Sequence, residues 1–242
     1  MQRHIRTTGI ALAIGLCALA GSLQAQTPPA TPPAAPPAAA PAGPPQFPNM
    51  TFFISSVGSP FGADFGGIEG ADRHCQMLAT RAGAGGKTWR AYLSVQAVGG
   101  KPAINARDRI GKGPWVNSAG VQIAANVDEL HTPALNKINT ETGRAENGRM
   151  IPSRLFVVNQ HDILTGTLAD GTAPPPDKDM TCGNWTKGGN DGSAMVGHHD
   201  RMGLRDDEPS KSWNASHPSR ACNAASLVAT GGAGLIYCFA AN

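Results

Sequence analysis

Concentrated positive charge is missing from this sequence. Only 15% of the residues are charged, the formal net charge is +3, and lysine and arginine never form a run. Nucleic acids and acidic membrane surfaces attract proteins through clustered basic side chains. Neither is therefore expected as the main partner, and no nucleic-acid partner is predicted.

The sequence also lacks the short motifs that mark common catalytic sites. It contains no Gly-x-Ser-x-Gly elbow, no His-Glu-x-x-His pair, no phosphate-binding loop and no Rossmann glycine pattern. Single residues such as His131 and the pair His161 and Asp162 are interpreted as surface or turn groups. We therefore expect neither an enzyme nor a bound cofactor.

The first 25 residues have the layout of a secretory signal peptide. Arg3 and Arg6 precede an apolar run over residues 9–23, and Ala25 closes a small-residue cleavage pattern. The run is shorter than the ~20 apolar residues that a spanning helix needs. We expect a secreted or periplasmic protein that has lost Cys17 with its signal and has no transmembrane segment after cleavage.

Residues 26–48 are nearly all proline, alanine and threonine. Such a composition cannot bury enough apolar surface to fold, and it favours an extended linker. The linker is either a spacer that holds a domain away from a membrane or wall, or a disordered tail. Residues 49–242 then form one domain.

Aromatic residues make up only 5% of the chain, whereas glycine occurs 30 times, which predicts a loop-rich domain with a modest core. Cys75, Cys182, Cys222 and Cys238 remain after signal cleavage. An even count in an exported chain indicates a disulfide framework and leaves no free thiol nucleophile. Their order suggests nested bridges, although four cysteines allow three connectivities.

Hydrophobic patterning predicts an α+β domain rather than repeated βαβ units. Apolar residues recur at helical spacing over residues 71–82. Short strands are predicted at residues 51–57, 155–158 and 181–186, and a final strand at residues 235–240.

The chain resembles the C-type-lectin-like fold, in its endostatin-like bacterial branch of secreted lectin-like domains. The matching segments are residues 67–75, 89–94, 113–116, 165–167 with 170–171, 182–186 and 236–239. The resemblance implies a mixed sheet with one or two helices and long disulfide-pinned loops. It also implies the bridges Cys75–Cys238 and Cys182–Cys222.

Two departures from this family bear on ligand binding. Calcium-dependent sugar-binding members carry Glu-Pro-Asn or Gln-Pro-Asp and a Trp-Asn-Asp triplet, and neither kind occurs here. Glu208-Pro209-Ser210 comes nearest and lacks the amide. Calcium takes six to eight oxygen ligands, so no calcium-mediated sugar binding is expected.

The segment between the two inner cysteines carries the candidate site, because exposed loops on a rigid scaffold collect binding groups. Sugar recognition needs an aromatic face together with amide or carboxylate groups. The candidate ligand-binding residues are His198, His199, Asp200, Arg201, Trp213, Asn214 and His217. The alternative interpretation is that Trp213 fills the core beneath the long loop.

His198, His199 and His217 are of a residue type that binds metal ions. Zinc favours histidine and aspartate ligands, but adjacent histidines in a strand point to opposite faces. His198 and His199 therefore cannot easily share one ion, and no metal is predicted.

These observations predict an exported lectin-like protein that binds a glycan or another extracellular ligand without calcium. The alternatives are a structural or protein-binding module of the envelope with no sugar specificity and, less favoured, a metal-dependent enzyme. The expected partner is a glycan or an extracellular or envelope protein.

The signal-peptide interpretation predicts the mature N-terminus. Cleavage after Ala25 leaves Gln26 first, and it lowers the net charge from +3 to +1 by removing two arginines. Intact-mass spectrometry of the exported protein should therefore give the mass of a chain that begins at Gln26. A chain that retains Cys17 would contradict cleavage at this position.

Overall fold

The computed structural model describes residues 45–241. The predicted signal peptide and the linker up to residue 44 lie outside the described residues. Phe47, near the end of the predicted linker, packs against the core, and its amide donates to the Ala82 carbonyl at 2.7 Å. None of the helices within residues 45–241 has the length and apolar character needed to span a bilayer.

The described chain contains four helices and eight strands, which confirms a mixed domain of helices and short strands. The helices are α1 (Gly67–Arg81), α2 (Val127–Leu130), α3 (Cys182–Trp185) and α4 (Ala224–Thr230). The strands are β1 (Phe52–Ile54), β2 (Trp89–Ala91), β3 (Trp115–Val116), β4 (Gln122–Ala124), β5 (Asp162–Leu164), β6 (Met195–His198), β7 (His217–Pro218) and β8 (Gly232–Ala240).

Strand β8 is the centre of a mixed sheet. It pairs antiparallel with β1 and β2 and parallel with β5, and the sheet continues through β6 to β7. Its apolar side chains are buried on both faces, as a strand between two packed layers requires. A separate pair, β3 and β4, forms a small antiparallel ribbon.

The alternation of β8 divides the core into two clusters. Ile236 and Cys238 face the cluster that contains helix α1 and Trp89. Tyr237 and Phe239 face the second cluster, in which the aromatic residues pack together. This period-two alternation explains why the predicted final strand has no polar face.

Two disulfides join Cys75 to Cys238 and Cys182 to Cys222, which confirms the predicted bridges. The first attaches α1 to β8 across one core cluster. The second closes a loop with a sequence separation of 40, and this loop carries most of the candidate site residues.

Two predicted strands are wrong. Residues 182–185 form the single turn α3, in which all four residues have left-handed φ angles between 49° and 68°. The Asp179 carboxylate accepts the Gly183 amide at 3.0 Å, and Cys182 is held by its disulfide. Residues 155–158 form an exposed turn instead of a buried strand, because Ser153 accepts the Leu155 amide through its hydroxyl and the Phe156 amide through its carbonyl, which closes the chain on itself.

The two bridges should contribute unequally to stability. In the chain-entropy model, the Cys75–Cys238 loop is worth about 5 kcal/mol and the Cys182–Cys222 loop about 4 kcal/mol. Urea denaturation of the paired variants Cys75→Ala/Cys238→Ala and Cys182→Ala/Cys222→Ala should therefore show the larger loss for the first pair. A larger loss for the second pair would contradict this ranking.

Candidate functional site

The register of β5, β6 and β7 brings three polar residues onto one face of the sheet. Asp162 begins β5 and pairs directly with His198, the last residue of β6. His217 begins β7 and pairs with Val196 of β6, two residues before His198. Because alternate residues of a strand share a face, the side chains of Asp162, His198 and His217 meet.

His161 joins this group from the residue before β5. One ligand atom from each of His161, Asp162 and His198 lies within 4.8 Å of the others, and all three residues are buried. The Oδ1 atom of Asp162 is 3.2 Å from Nε2 of His161 and 3.2 Å from Nε2 of His198. We call His161, Asp162, His198 and His217 the Asp162 cluster.

His217 completes the cluster from the rim. Its Nε2 lies 3.0 Å from Nε2 of His198 and 3.7 Å from Oδ1 of Asp162. Its side chain is 39% exposed, whereas those of the other three residues are 6% exposed or less. Three ring nitrogens therefore converge on one carboxylate oxygen, and one of the three rings reaches solvent.

The other ring nitrogen of each histidine contacts an oxygen acceptor. Nδ1 of His198 lies 2.7 Å from the Ser210 carbonyl, and Nδ1 of His217 lies 3.2 Å from the Pro218 carbonyl. Nδ1 of His161 lies 3.2 Å from the Asp200 carboxylate. These acceptors assign the proton of each neutral ring to Nδ1.

Asp200 joins the cluster to the neighbouring loop. Its carboxylate accepts the Arg154 amide at 2.8 Å and the Met202 amide at 3.1 Å, in addition to His161. Burial raises the pKa of this carboxyl, but the hydrogen bonds from His161 and Arg154 outweigh burial and lower the pKa to about 2. Asp200 therefore stays ionised and positions the His161 ring.

His198 and His199 face different environments, as strand alternation predicts. Burial lowers the pKa of His198, but the Asp162 carboxylate, the Ser210 carbonyl and the charge of Asp200 together outweigh burial, so that the net shift of this pKa is upward. His199 is fully buried against Pro152, and burial lowers its pKa to about 4. His199 thus remains neutral and outside the Asp162 cluster.

Trp213 and Asn214 lie in the core, which corrects their prediction as exposed ligand-binding residues. Trp213 is 3% exposed and packs against Tyr92 and Tyr237, with ring centroids 4.7 Å and 5.2 Å apart. The structure therefore matches the alternative interpretation, in which this ring fills the space beneath the loop. A Cβ atom at Gly197 would lie 1.9 Å from the Trp213 carbonyl oxygen, so β6 needs glycine where the loop packs on it.

Asn214 belongs to a buried hydrogen-bond chain. Its side-chain amide donates to the Tyr92 hydroxyl at 3.0 Å. Nε2 of His131 lies 2.7 Å from that hydroxyl, and Nδ1 of His131 lies 2.7 Å from the Val127 carbonyl. The His131 ring therefore donates through Nδ1 and accepts from Tyr92 through Nε2, so His131 is a structural residue.

Arg201 is also structural, although it was predicted to bind ligand. Its Nε donates to the Ile138 carbonyl at 2.7 Å, and its guanidinium reaches the Pro133 carbonyl at 3.3 Å. The backbone of Arg201 has a left-handed φ of 58°. The side chain therefore fastens the 133–138 segment to the end of β6.

A cavity of about 490 Å³ lies beside the Asp162 cluster. His161, His198 and His217 form part of its wall. Other lining residues are Arg154, Asn159, Leu204, Arg205, Ser210 and Ser216. Of the seven predicted site residues, only His198 and His217 line this cavity.

Sequence reasoning missed the role of His161 and Asp162, which were interpreted as surface or turn groups. Both are buried, at 5% and 2% exposure. The available signal was their position immediately before the apolar residues Ile163 and Leu164. A strand that begins at Asp162 carries the carboxylate into the sheet.

No family model matches the chain, and no curated protein matches it significantly in sequence.

The buried chain through His131 predicts a pH effect on stability. Burial lowers the pKa of His131 below its usual 6.5, so the unfolded state takes up the proton first as pH falls. The neutral ring therefore contributes stability that is complete above pH 6.5 and declines as pH falls towards the folded-state pKa.

Urea denaturation between pH 7 and pH 5 measures this effect. The free energy of unfolding should fall less steeply with decreasing pH in His131→Gln than in the wild type, because one proton-linked group is gone. His74→Gln, at a histidine outside the buried chain, is the control. Equal slopes for the wild type and His131→Gln would contradict the assignment.

Proposed function

We propose that this chain is an exported binding protein with a C-type-lectin-like fold that takes its ligand, without calcium, at the cavity beside the Asp162 cluster. Export is supported by the signal-like first 25 residues and by two disulfides. The fold assignment is supported by the central strand β8 and by long loops closed by Cys182–Cys222. The ligand that the cavity favours joins an anionic group to an apolar chain.

The observation that carries this proposal is the loop at residues 155–158, which we call the apolar loop. It comprises Leu155, Phe156, Val157 and Val158, and all four side chains are exposed. Exposed runs of apolar residues mark binding surfaces. Arg154 and Asn159, which flank this loop, both line the cavity, so the loop emerges at the cavity rim.

The lining of the cavity itself also carries an exposed apolar side chain. Leu204 lines the cavity and is 90% exposed. It belongs to the segment between β6 and β7, whose base is fastened by Arg201. An apolar loop next to the cavity and an exposed leucine in its lining suit an alkyl or acyl chain rather than a fully polar ligand.

Two guanidinium groups provide the anionic specificity. Arg154 and Arg205 line the cavity, and neither side chain donates a hydrogen bond to another residue of the described chain. The nearby carboxylate of Asp207 is engaged by the Ser210 amide at 3.0 Å. Guanidinium groups bind phosphate or carboxylate through paired hydrogen bonds.

A neutral glycan is less suited to this cavity than the sequence predicted. Trp213 is buried, and no tryptophan, tyrosine or phenylalanine is among the described residues that line the cavity. The stacking surface that sugar rings use is therefore provided only by imidazoles. A protein-binding role for the apolar loop remains the alternative.

Calorimetric titration with three probes tests the ligand class. Octyl phosphate, octyl glucoside and inorganic phosphate are each titrated below the micelle concentration. Octyl phosphate should bind at least ten-fold more tightly than either of the others, because only it satisfies both the guanidiniums and the apolar loop. Equal binding of octyl glucoside, or glycan binding with no preference for phosphate, would contradict the proposal.

Variants separate the contribution of the apolar loop to ligand affinity from that of the two guanidinium groups. Leu155→Ser/Val157→Ser should reduce octyl phosphate affinity about ten-fold while leaving that of inorganic phosphate unchanged. Arg154→Gln/Arg205→Gln should remove the preference for phosphate over glucoside. The control Val98→Ser changes another exposed valine, 61% exposed and outside the cavity, and should bind like the wild type.

A further inference from the structure

We propose that His161, Asp162, His198 and His217 bind a single transition-metal ion, with zinc as the best match. This inference does not rest on the proposed ligand, because it depends only on the geometry of the Asp162 cluster. The ion would lie at the wall of the cavity, on the face of the sheet formed by β5, β6 and β7.

The buried carboxylate of Asp162 is uncompensated. Asp162 is 2% exposed, and neither of its oxygens has a hydrogen-bond partner among the described residues. Its contacts with the histidines are close in distance but lack hydrogen-bond geometry. A buried carboxylate without partners is strongly unfavourable, and a cation held between its oxygen and the rings would compensate it.

Each histidine of the Asp162 cluster has a nitrogen lone pair available to bind an ion. Because Nδ1 of each ring donates to Asp200, Ser210 or Pro218, the neutral ring has a bare lone pair on Nε2. All three Nε2 atoms lie within 3.7 Å of Asp162 Oδ1. Four electron-rich atoms facing one another repel unless a positive charge lies among them.

The spacing of the four atoms matches that of zinc ligands. Zinc bonds to nitrogen and oxygen are about 2.0–2.1 Å long, so neighbouring ligand atoms of a tetrahedral site are about 3.3 Å apart. The distances from Asp162 Oδ1 are 3.2 Å to His161, 3.2 Å to His198 and 3.7 Å to His217. The separation of the His198 and His217 nitrogens is 3.0 Å.

The surroundings of the histidines fit a metal site as well. Metal-binding histidines usually donate their second nitrogen to a carboxylate or a backbone carbonyl, which fixes the ring. Asp200 does this for His161, and the carbonyls of Ser210 and Pro218 do it for the other two rings. The ligands are thereby oriented before an ion binds.

A shared proton accounts for less of this geometry. A proton between Asp162 and His198 would explain one short contact, but it would leave the nitrogens of His161 and His217 close to the same oxygen. Calcium and magnesium prefer oxygen ligands, whereas this cluster offers three nitrogens and one oxygen. The donor set suits zinc, and among other ions copper or nickel.

Zinc titration of protein first stripped with a chelator tests the site. The wild type should bind one zinc ion per chain, and its Tm should rise with zinc concentration, because an ion that binds only the folded state stabilises it. Bound cobalt should give the intense visible absorption of a tetrahedral complex. Weak binding with the pale spectrum of a hydrated ion would contradict the proposal.

Matched variants identify the ligands. Asp162→Asn and His198→Gln should each weaken zinc binding at least 100-fold, whereas Asp128→Asn and His74→Gln, outside the cluster, should bind normally. Stripped Asp162→Asn should unfold at or above the Tm of the stripped wild type, because the change removes an uncompensated charge. This Tm comparison separates lost coordination from misfolding, and wild-type zinc affinity in Asp162→Asn would overturn the assignment.

Discussion

The register of β5 between β6 and β8 is the constraint on which both the core and the site depend. Ile163 pairs with Leu235 of β8 inside the core, while Asp162 pairs with His198 of β6. A slip of one residue would reverse the face of every β5 side chain. It would expose apolar side chains and separate the carboxylate from the imidazoles, so apolar burial and the geometry of the Asp162 cluster are maintained together.

The same register buries the charge of Asp162 at a position where an unpaired carboxylate lowers the stability of the fold. The carboxylate of Asp162 receives no hydrogen bond from the described residues, yet it contacts three rings that are oriented by other acceptors. Asp200 links this arrangement to the rim, since it contacts His161 and the Arg154 amide that precedes the apolar loop. The proposed metal and the proposed ligand thus occupy one cavity, with the ion at its wall and the alkyl chain at its rim.

The sequence alone predicts those parts of the structure that depend on local residue pattern and on disulfide chemistry. The bridges, helix α1 and strand β8 follow from cysteine count, family resemblance and apolar periodicity. The sequence alone does not predict features that depend on contacts between residues distant in the chain. Trp213 is buried because Tyr92 and Tyr237 surround it, and these partners are far away in the chain. His161 and Asp162 became a site only when pairing with β6 and β7 added two distant histidines.

X-ray absorption spectroscopy of the zinc-loaded protein tests the central claim most directly, because it reports the atoms bound to the ion. The account predicts a four-coordinate shell of nitrogen and oxygen at about 2.0 Å, with the outer-shell scattering of three imidazoles and no sulfur. A six-coordinate shell dominated by water oxygen, or a shell that contains sulfur, would contradict it.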